Sequence, residues 1–267
     1  MKQRFSHKKS LGQHFLTSAA VPRFMCDAAS LQPGEIVFEI GPGTGVLTRE
    51  ILDRGATVVA LEADLRAIEV LETEFSDEIA SKRLIIHHGD AREMDLESLG
   101  LRDHTYICIA NIPYYLSGHL FRTMLESSCQ PKTLVFLVQK EVASRIARDE
   151  KESILSLSVK VFGTPRYVKT VGKGHFNPPP AVDSAIILVS NISRDNFSSF
   201  AINDFFTILK CGLASKRKRL FGNLTNLYPK EQLMHSFSTL RIDENVRGED
   251  LPLETWLHLV ASLTTHT

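Results

Sequence analysis

Apolar residues in the first two thirds of the chain fall into short runs broken by glycine, proline and charge, whereas the last third carries them at helical spacing. Ile36 to Ile40, Thr57 to Leu61, Leu84 to His88, Tyr106 to Ala110 and Thr133 to Val138 are rich in β-branched residues and too short for helices, so they predict strands. Amphipathic stretches alternate with them, at Val46 to Asp53, Ser117 to Ser127 and Gln139 to about Ala147. Such alternation predicts an α/β domain with a mostly parallel sheet. Arg166 to Val171 and Ala185 to Val189 read as two closing strands, which makes seven. Ile154 to Phe162 alternates like a strand but suits a buried helix equally. Near the start, Thr17 or Ser18 stands where a helix cap is expected. Polar residues from Asn191 to Ser199 mark a boundary, and Phe200 to Thr267 is helical by pattern. The expected layout is one α/β domain over residues 1–195 and a small helical domain over 196–267.

Two stretches carry chemistry. The first runs from the strand Ile36–Ile40, which holds Glu39, through Gly41-Pro42-Gly43-Thr44-Gly45 into a helix, and then to a second strand ending in Glu62. Strand, glycine turn, helix, strand and acid form the opening unit of a nucleotide-binding α/β domain, with the acid at the distance expected for a ribose contact, roughly 20 residues on. The spacing G-x-G-x-G argues against a dinucleotide, whose pyrophosphate needs the helix N-terminus, and suits the phosphate-free S-adenosylmethionine. A third strand ends in Gly89-Asp90-Ala91, where Asp90 is either an acceptor for the cofactor's adenine amine or a helix cap.

The second stretch is Asn111-Ile112-Pro113-Tyr114, delivered by the buried strand Tyr106–Ala110 to the end of the sheet where open α/β folds bind ligands. Asn111 offers a carbonyl acceptor, Pro113 holds the preceding backbone extended, and Tyr114 offers a flat ring. Two acceptors beside a stacking face suit an exocyclic amine on a planar base. Adenine N6 is a poor nucleophile because its lone pair is delocalised. Hydrogen bonds accepted from both N6 hydrogens favour a pyramidal nitrogen with its lone pair aimed at an electrophile, a gain made mainly in the transition state. In His175-Phe176-Asn177-Pro178-Pro179-Pro180 the proline run presents Phe176 either as a second stacking face or as a loop anchor in the core.

Composition alters this picture little. The 267 residues, 43% of them hydrophobic, suffice for a large domain with an appendage. Cys26, Cys108, Cys129 and Cys211 are scattered without a C-x-x-C pair, and no long apolar N-terminal stretch precedes the first strand, so a reduced, cytoplasmic, metal-free protein away from membranes is expected. Charge is balanced at 31 basic and 31 acidic residues, which taken as a whole argues mildly against a nucleic-acid partner. Its distribution argues the other way. Lys2, Arg4, Lys8, Lys9 and Arg23 crowd the first 30 residues against Asp27 alone, as a solvated tail or as a segment that folds over a ligand. Lys216-Arg217-Lys218-Arg219, expected on a helix, has no acidic neighbour until Glu231, and a phosphate backbone is the partner such a run suits.

Taken together, the chain resembles the ribosomal RNA adenine N6,N6-dimethyltransferases. The resemblance is carried by Lys8-Lys9-Ser10-Leu11-Gly12-Gln13-His14-Phe15-Leu16, Glu39-Ile40-Gly41-Pro42-Gly43, Gly89-Asp90-Ala91, Asn111-Ile112-Pro113-Tyr114-Tyr115, Gln139-Lys140-Glu141-Val142, Phe176-Asn177-Pro178-Pro179-Pro180, Val182-Asp183-Ser184-Ala185 and Arg247-Gly248-Glu249-Asp250-Leu251. It implies a Rossmann-like catalytic domain, S-adenosylmethionine as donor, and two adjacent adenosines near the 3′ end of small-subunit ribosomal RNA as acceptors, each taking two methyls. It implies cofactor contacts at His14, Leu16, Gly41, Gly43, Glu62, Asp90, Ala91 and Asn111, with Asn111, Pro113, Tyr114 and Phe176 at the target base. Free small-subunit RNA or a pre-ribosomal small subunit is the expected partner, and a monomer the expected form. The chain departs from the pattern at His14, where relatives carry Asn, and at Ser215-Lys216-Arg217-Lys218, where relatives resemble Q-R-R-K. Two alternatives are a large-subunit methyltransferase of the macrolide-resistance type and a non-catalytic RNA-binding assembly factor.

Overall fold

The computed structural model describes residues 14–265, so Lys2, Arg4, Lys8, Lys9 and Leu11 to Gln13 lie outside the described residues. In chain order the elements are β1 (Phe15–Leu16), α1 (Ala20–Ala28), β2 (Ile36–Ile40), α2 (Val46–Asp53), β3 (Thr57–Glu62), α3 (Leu65–Glu74), α4 (Ser76–Ala80), β4 (Leu84–His88) and β5 (Tyr106–Asn111). They continue with α5 (Ser117–Glu126), β6 (Thr133–Gln139), α6 (Lys140–Ala147), α7 (Ile154–Lys160), β7 (Thr164–Val171), β8 (Phe176–Asn177) and β9 (Ser184–Ser190). Four helices follow: α8 (Ile202–Gly212), α9 (Leu220–Leu224), α10 (Lys230–Thr239) and α11 (Leu253–Thr264).

Seven strands form one sheet in the order β4-β3-β2-β5-β6-β9-β7. β2 pairs in parallel with both β3 and β5, with Ile40 opposite Leu61 and Phe38 opposite Cys108. β5 and β6 are parallel, with Asn111 opposite Leu137, and β9 runs antiparallel to β6. The central strands are apolar on both faces because helices cover both, so every residue of Tyr106 to Ala110 and of Leu134 to Val138 is buried. Strand order reverses between β2 and β5. At such a reversal open α/β sheets leave a crevice at the carboxyl ends of the strands.

The chain divides into two compact units. The first comprises residues 1–143 and 165–192, the second 144–164 and 193–267. The second unit is therefore discontinuous, unlike the single cut at 195/196 read from polarity, because the stretch before β7 packs with residues far downstream. Phe162 lies against Phe197 at 5.0 Å and Phe206 at 6.4 Å between ring centroids, and the Glu152 backbone N–H donates to the Glu249 carbonyl at 2.7 Å. Ile154 to Lys160 resolves as helix, started by a capping box between Ser153 and Ser156. Trp256 is fully buried, its indole N–H donating to the Gly248 carbonyl at 3.3 Å.

Two local expectations change. α1 is capped by neither Thr17 nor Ser18. Its N-cap is Ala19, and Thr17 donates its backbone N–H and its hydroxyl to the His175 carbonyl at 3.0 and 3.1 Å. Lys216 to Arg219 is an exposed turn between α8 and α9 rather than part of a helix. The buried Asn223 amide donates to the carbonyls of Gly212 (2.7 Å) and Ser215 (3.3 Å), satisfying the end of α8 and stopping it before the basic run. Among the described residues no helix is long and apolar enough to cross a membrane.

Glu39 of β2 is 1% exposed and accepts a hydrogen bond from the Thr48 hydroxyl of α2 at 2.7 Å. Burial pushes its carboxyl up from 4.5 to about 8, helped by the nearby Glu62 charge and opposed by the Thr48 hydrogen bond. The folded chain thus holds a proton between pH 4.5 and about 8 that the unfolded chain releases. This contribution to stability is complete below the lower value and is lost as pH rises to the upper one, by at most ~1.4 kcal/mol per pH unit. Urea unfolding of Glu39→Gln should show a shallower fall in stability between pH 5 and 7.5 than the parent chain. Parallel curves would remove Glu39 as the cause.

Candidate active site

The carboxyl ends of four neighbouring strands, β2, β3, β4 and β5, open onto one cleft, with β1 and the residue before it along one side. Its lining includes His14, Gly41, Gly43, Glu62, Asp90, Ala91, Asn111, Pro113 and Tyr114. Residues far apart in sequence thus meet at the switch point.

The glycine turn leaves β2 with left-handed φ at Gly41 (+66°), Gly43 (+58°) and Gly45 (+80°), values that side chains adopt only under strain. At Gly43 a Cβ would also lie 2.7 Å from the Phe15 ring, and at Gly45 2.5 Å from Phe75. Gly41 has nothing within 4 Å of that position, so its backbone is open to a ligand. The turn is tied to the end of β3 by the Gly41 N–H donating to the Leu61 carbonyl (2.9 Å) and the Gly43 N–H donating to Glu62 Oε2 (3.0 Å).

Glu62 does more than the sequence reading assigned it. Its Oε1 accepts from the backbone N–H groups of Ala63 and Asp64, each at 2.9 Å, so three main-chain donors converge on one buried carboxylate. Burial raises its carboxyl above the ordinary range, while the Asp64, Gly43 and Ala63 hydrogen bonds act the other way. A carboxylate has about four acceptor positions, which leaves one for a ribose hydroxyl. Asp90 caps no helix. It accepts from the Arg92 backbone N–H at 2.9 Å and pairs with the Arg92 guanidinium, which, as the foremost cause, holds its carboxyl down at about 2. Asp90 is thus ionised at neutral pH and acts only as an acceptor, with Arg92 already donating to both of its oxygens.

At the end of β5 the Asn111 side chain donates through Nδ2 to the His14 carbonyl at 3.0 Å, which places Oδ1 on the opposite edge of the amide. Pro113 (φ −58°, ψ 130°) keeps the backbone extended and Ile112 is buried, so the chain turns only at Tyr114. The Tyr114 hydroxyl is within 2.6 Å of the Ser184 hydroxyl on β9, which fixes the far end of the ring. Burial raises the Tyr114 phenol pKa, keeping it neutral. The His14 ring is stacked on Tyr114 with centroids 5.7 Å apart and planes at 24°, and its Nδ1 lies 2.8 Å from the Pro178 carbonyl.

Leu16 and Phe176 do not line the cleft. They face each other in the β1–β8 ribbon, at 7% and 4% exposure, inside the same core cluster as Val21, Met25 and Val171. The proline brace therefore anchors Phe176 in the core instead of presenting its ring. Pairing is the cause: with Phe15 opposite Asn177, side-chain alternation turns Leu16 and Phe176 to the inner face. Phe15, Arg92, Tyr115 and Leu116 line the cleft without having been expected there. Tyr115, 62% exposed, was readable from its place in the tetrapeptide's extension, while Phe15 is named by nothing short of the ribbon register.

The chain matches the ribosomal RNA adenine dimethylase family over residues 4–265. It is 36% identical over 255 residues to the ribosomal RNA small subunit methyltransferase A of Dehalococcoides mccartyi (strain CBDB1), covering 94% of this chain and 87% of that protein. The protein of the same name from Enterococcus faecalis is 34% identical over 274 residues, covering 98% and 92%. Among solved structures, a dimethyladenosine transferase from Plasmodium falciparum superposes with a TM-score of 0.78 at 26% identity, over 92% of this chain and 96% of that one. The 23S rRNA methyltransferase ErmE, at 21% identity and a TM-score of 0.73 over 93% and 99%, shares the fold. A family match spanning nearly the whole length, with relatives above 30% identity, places this chain among the ribosomal RNA adenine dimethylases.

Proposed function

We propose that the chain transfers methyl groups to N6 of two adjacent adenosines near the 3′ end of small-subunit ribosomal RNA, using S-adenosylmethionine. The observation that carries this reading is the meeting of Asn111, Pro113 and Tyr114 with Gly41, Glu62 and Asp90 around one cleft. S-adenosylmethionine, when bound, supplies an electrophilic methyl. The residues present fit it: the open Gly41 backbone would admit close approach, Glu62 has one acceptor position left that would serve a ribose hydroxyl, and ionised Asp90, beside Ala91 in the lining, would accept from an adenine amine. Gly43 and His14 complete that wall. The family's names for its relatives and the apolar, amide-bearing β5 end both favour a nucleobase amine as acceptor.

In this reading Tyr114 supports the target base on one face, held by Ser184 from behind. Asn111 accepts from N6–H through Oδ1 while Nδ2 stays on the His14 carbonyl, so the amide meets developing charge without reorienting. Pro113 holds Ile112 extended, which leaves its carbonyl as the second acceptor. Phe176, buried in this structure, is not assigned to the base. The exposed turn Lys216 to Arg219 is the candidate contact to the RNA backbone, with ribosomal RNA, free or within an assembling small subunit, as partner and a single chain as the acting form.

Incubation with labelled methyl donor and under-methylated small subunits, then nuclease digestion, should yield N6,N6-dimethyladenosine at two neighbouring positions. In the same assay Asn111→Ala should lower the single-turnover rate at saturating donor by about 10² to 10³. A near-normal rate would remove Asn111 from the chemistry.

Tyr114→Phe keeps the ring and loses the bond to Ser184, so most activity should survive while stability drops by about 1 kcal/mol. Against Ser184→Ala the two changes should be non-additive in a double-mutant cycle. Zero coupling would mean the hydroxyl pair contributes nothing.

Replacing Lys216, Arg217, Lys218 and Arg219 together with Gln should weaken RNA binding and spare donor binding. The log–log salt dependence of RNA affinity should flatten by roughly 0.7 to 0.9 per lost phosphate contact. An unchanged slope would leave the turn as solvated surface.

A further inference from the structure

We propose that His14 stands in for the target base: its imidazole is stacked on one face of Tyr114, both rings line the cleft, and the base takes that face by displacing it. The proposal rests on the reading of Tyr114 as stacking face and Asn111 as N6 acceptor. Three contacts carry it. The imidazole is stacked on Tyr114 at 5.7 Å and 24°, within the range of offset-stacked rings, which leaves no space for a second ring between them. Its Nδ1 lies 2.8 Å from the Pro178 carbonyl, a bond that pins the imidazole over the tyrosine. The carbonyl of the same residue accepts from Asn111 Nδ2 at 3.0 Å.

The division of labour between backbone and side chain gives this arrangement its use. Rotation about the side-chain bonds of His14 withdraws the imidazole without moving its carbonyl, so the Asn111 amide keeps its orientation while the stacking face is vacated. β1, paired to β8 with Phe15 opposite Asn177, holds that backbone in place. The base therefore replaces one planar ring with another in a site whose hydrogen-bonding edge is already set. The cost is that only the fraction of molecules with the imidazole withdrawn can accept the base, which raises the apparent dissociation constant by the reciprocal of that fraction.

The test compares the parent chain with His14→Ala and the milder His14→Asn on under-methylated small subunits; because His14 also lines the donor wall, the donor affinity of each variant is measured separately and S-adenosylmethionine is held saturating for each. Both changes remove the imidazole and retain the carbonyl. KM for the subunit should fall roughly three- to tenfold, the range that loss of one competing hydrogen bond commands, and kcat/KM should rise. A gain in kcat/KM is a result that a damaged fold or a lost binding contact does not produce. An unchanged or higher KM in both variants, with a parent chain that dimethylates, would overturn the placeholder role and leave the proposed function standing. A parent chain that forms no dimethyladenosine would overturn both.

Discussion

A single carboxylate holds the cleft together. Glu62 gathers the N–H groups of Gly43, Ala63 and Asp64, so the turn after β2 and the end of β3 are fixed by one side chain. Without that acceptor, the buried N–H groups of Gly43 and Asp64 would be left unsatisfied. With it, the glycine turn can keep its left-handed residues, and those residues let Phe15 on one side and Phe75 on the other pack closer than any Cβ would permit. The position of β1, and with it the His14 carbonyl that meets Asn111, follows from that approach.

The three acids near the cleft show how environment separates one chemical group into three jobs. Glu39, enclosed between β2 and α2, is held protonated toward neutral pH and links strand to helix through Thr48. Glu62 is buried too, but backbone donors work against its burial. Asp90, beside Arg92 at the surface, stays charged. Only the last two lie along the cleft wall, which is where acceptors for hydroxyl and amine groups are wanted.

Much of this was legible in the residues alone, and the exceptions share a cause. Strands buried on both faces announce themselves as β-branched runs, so β2, β3, β5 and β6 were found within a residue or so of their ends. The turn after β2, the acid ending β3 and the amide ending β5 were found for a similar reason, since local chemistry dictates residue type at such junctions. Leu16 and Phe176 were misdirected because their facing is decided by a two-residue pairing across 160 positions, and a one-residue difference in register sends a side chain to the other face. The basic run was read as helix because charge pattern says nothing of Asn223, which ends α8 from downstream. The seven residues of α7 are too few for periodicity to separate helix from strand, and the capping box at Ser153 and Ser156 decides it.

The discontinuous second unit also sets an order of assembly on a chain made from its N-terminus. After β6 the growing chain produces Ser144 to Thr164, whose Leu157, Val159 and Phe162 are buried in the finished protein, before it produces β7 and β9. The rings that cover Phe162, on Phe197 and Phe206, emerge later still. For the time taken to synthesise some 40 residues the nascent chain therefore carries an apolar segment whose cover does not yet exist. At ribosomal rates of about 5–20 residues per second this lasts seconds, long compared with hydrophobic collapse, so during synthesis the completed strands of the first unit must coexist with an uncovered stretch that belongs to the second.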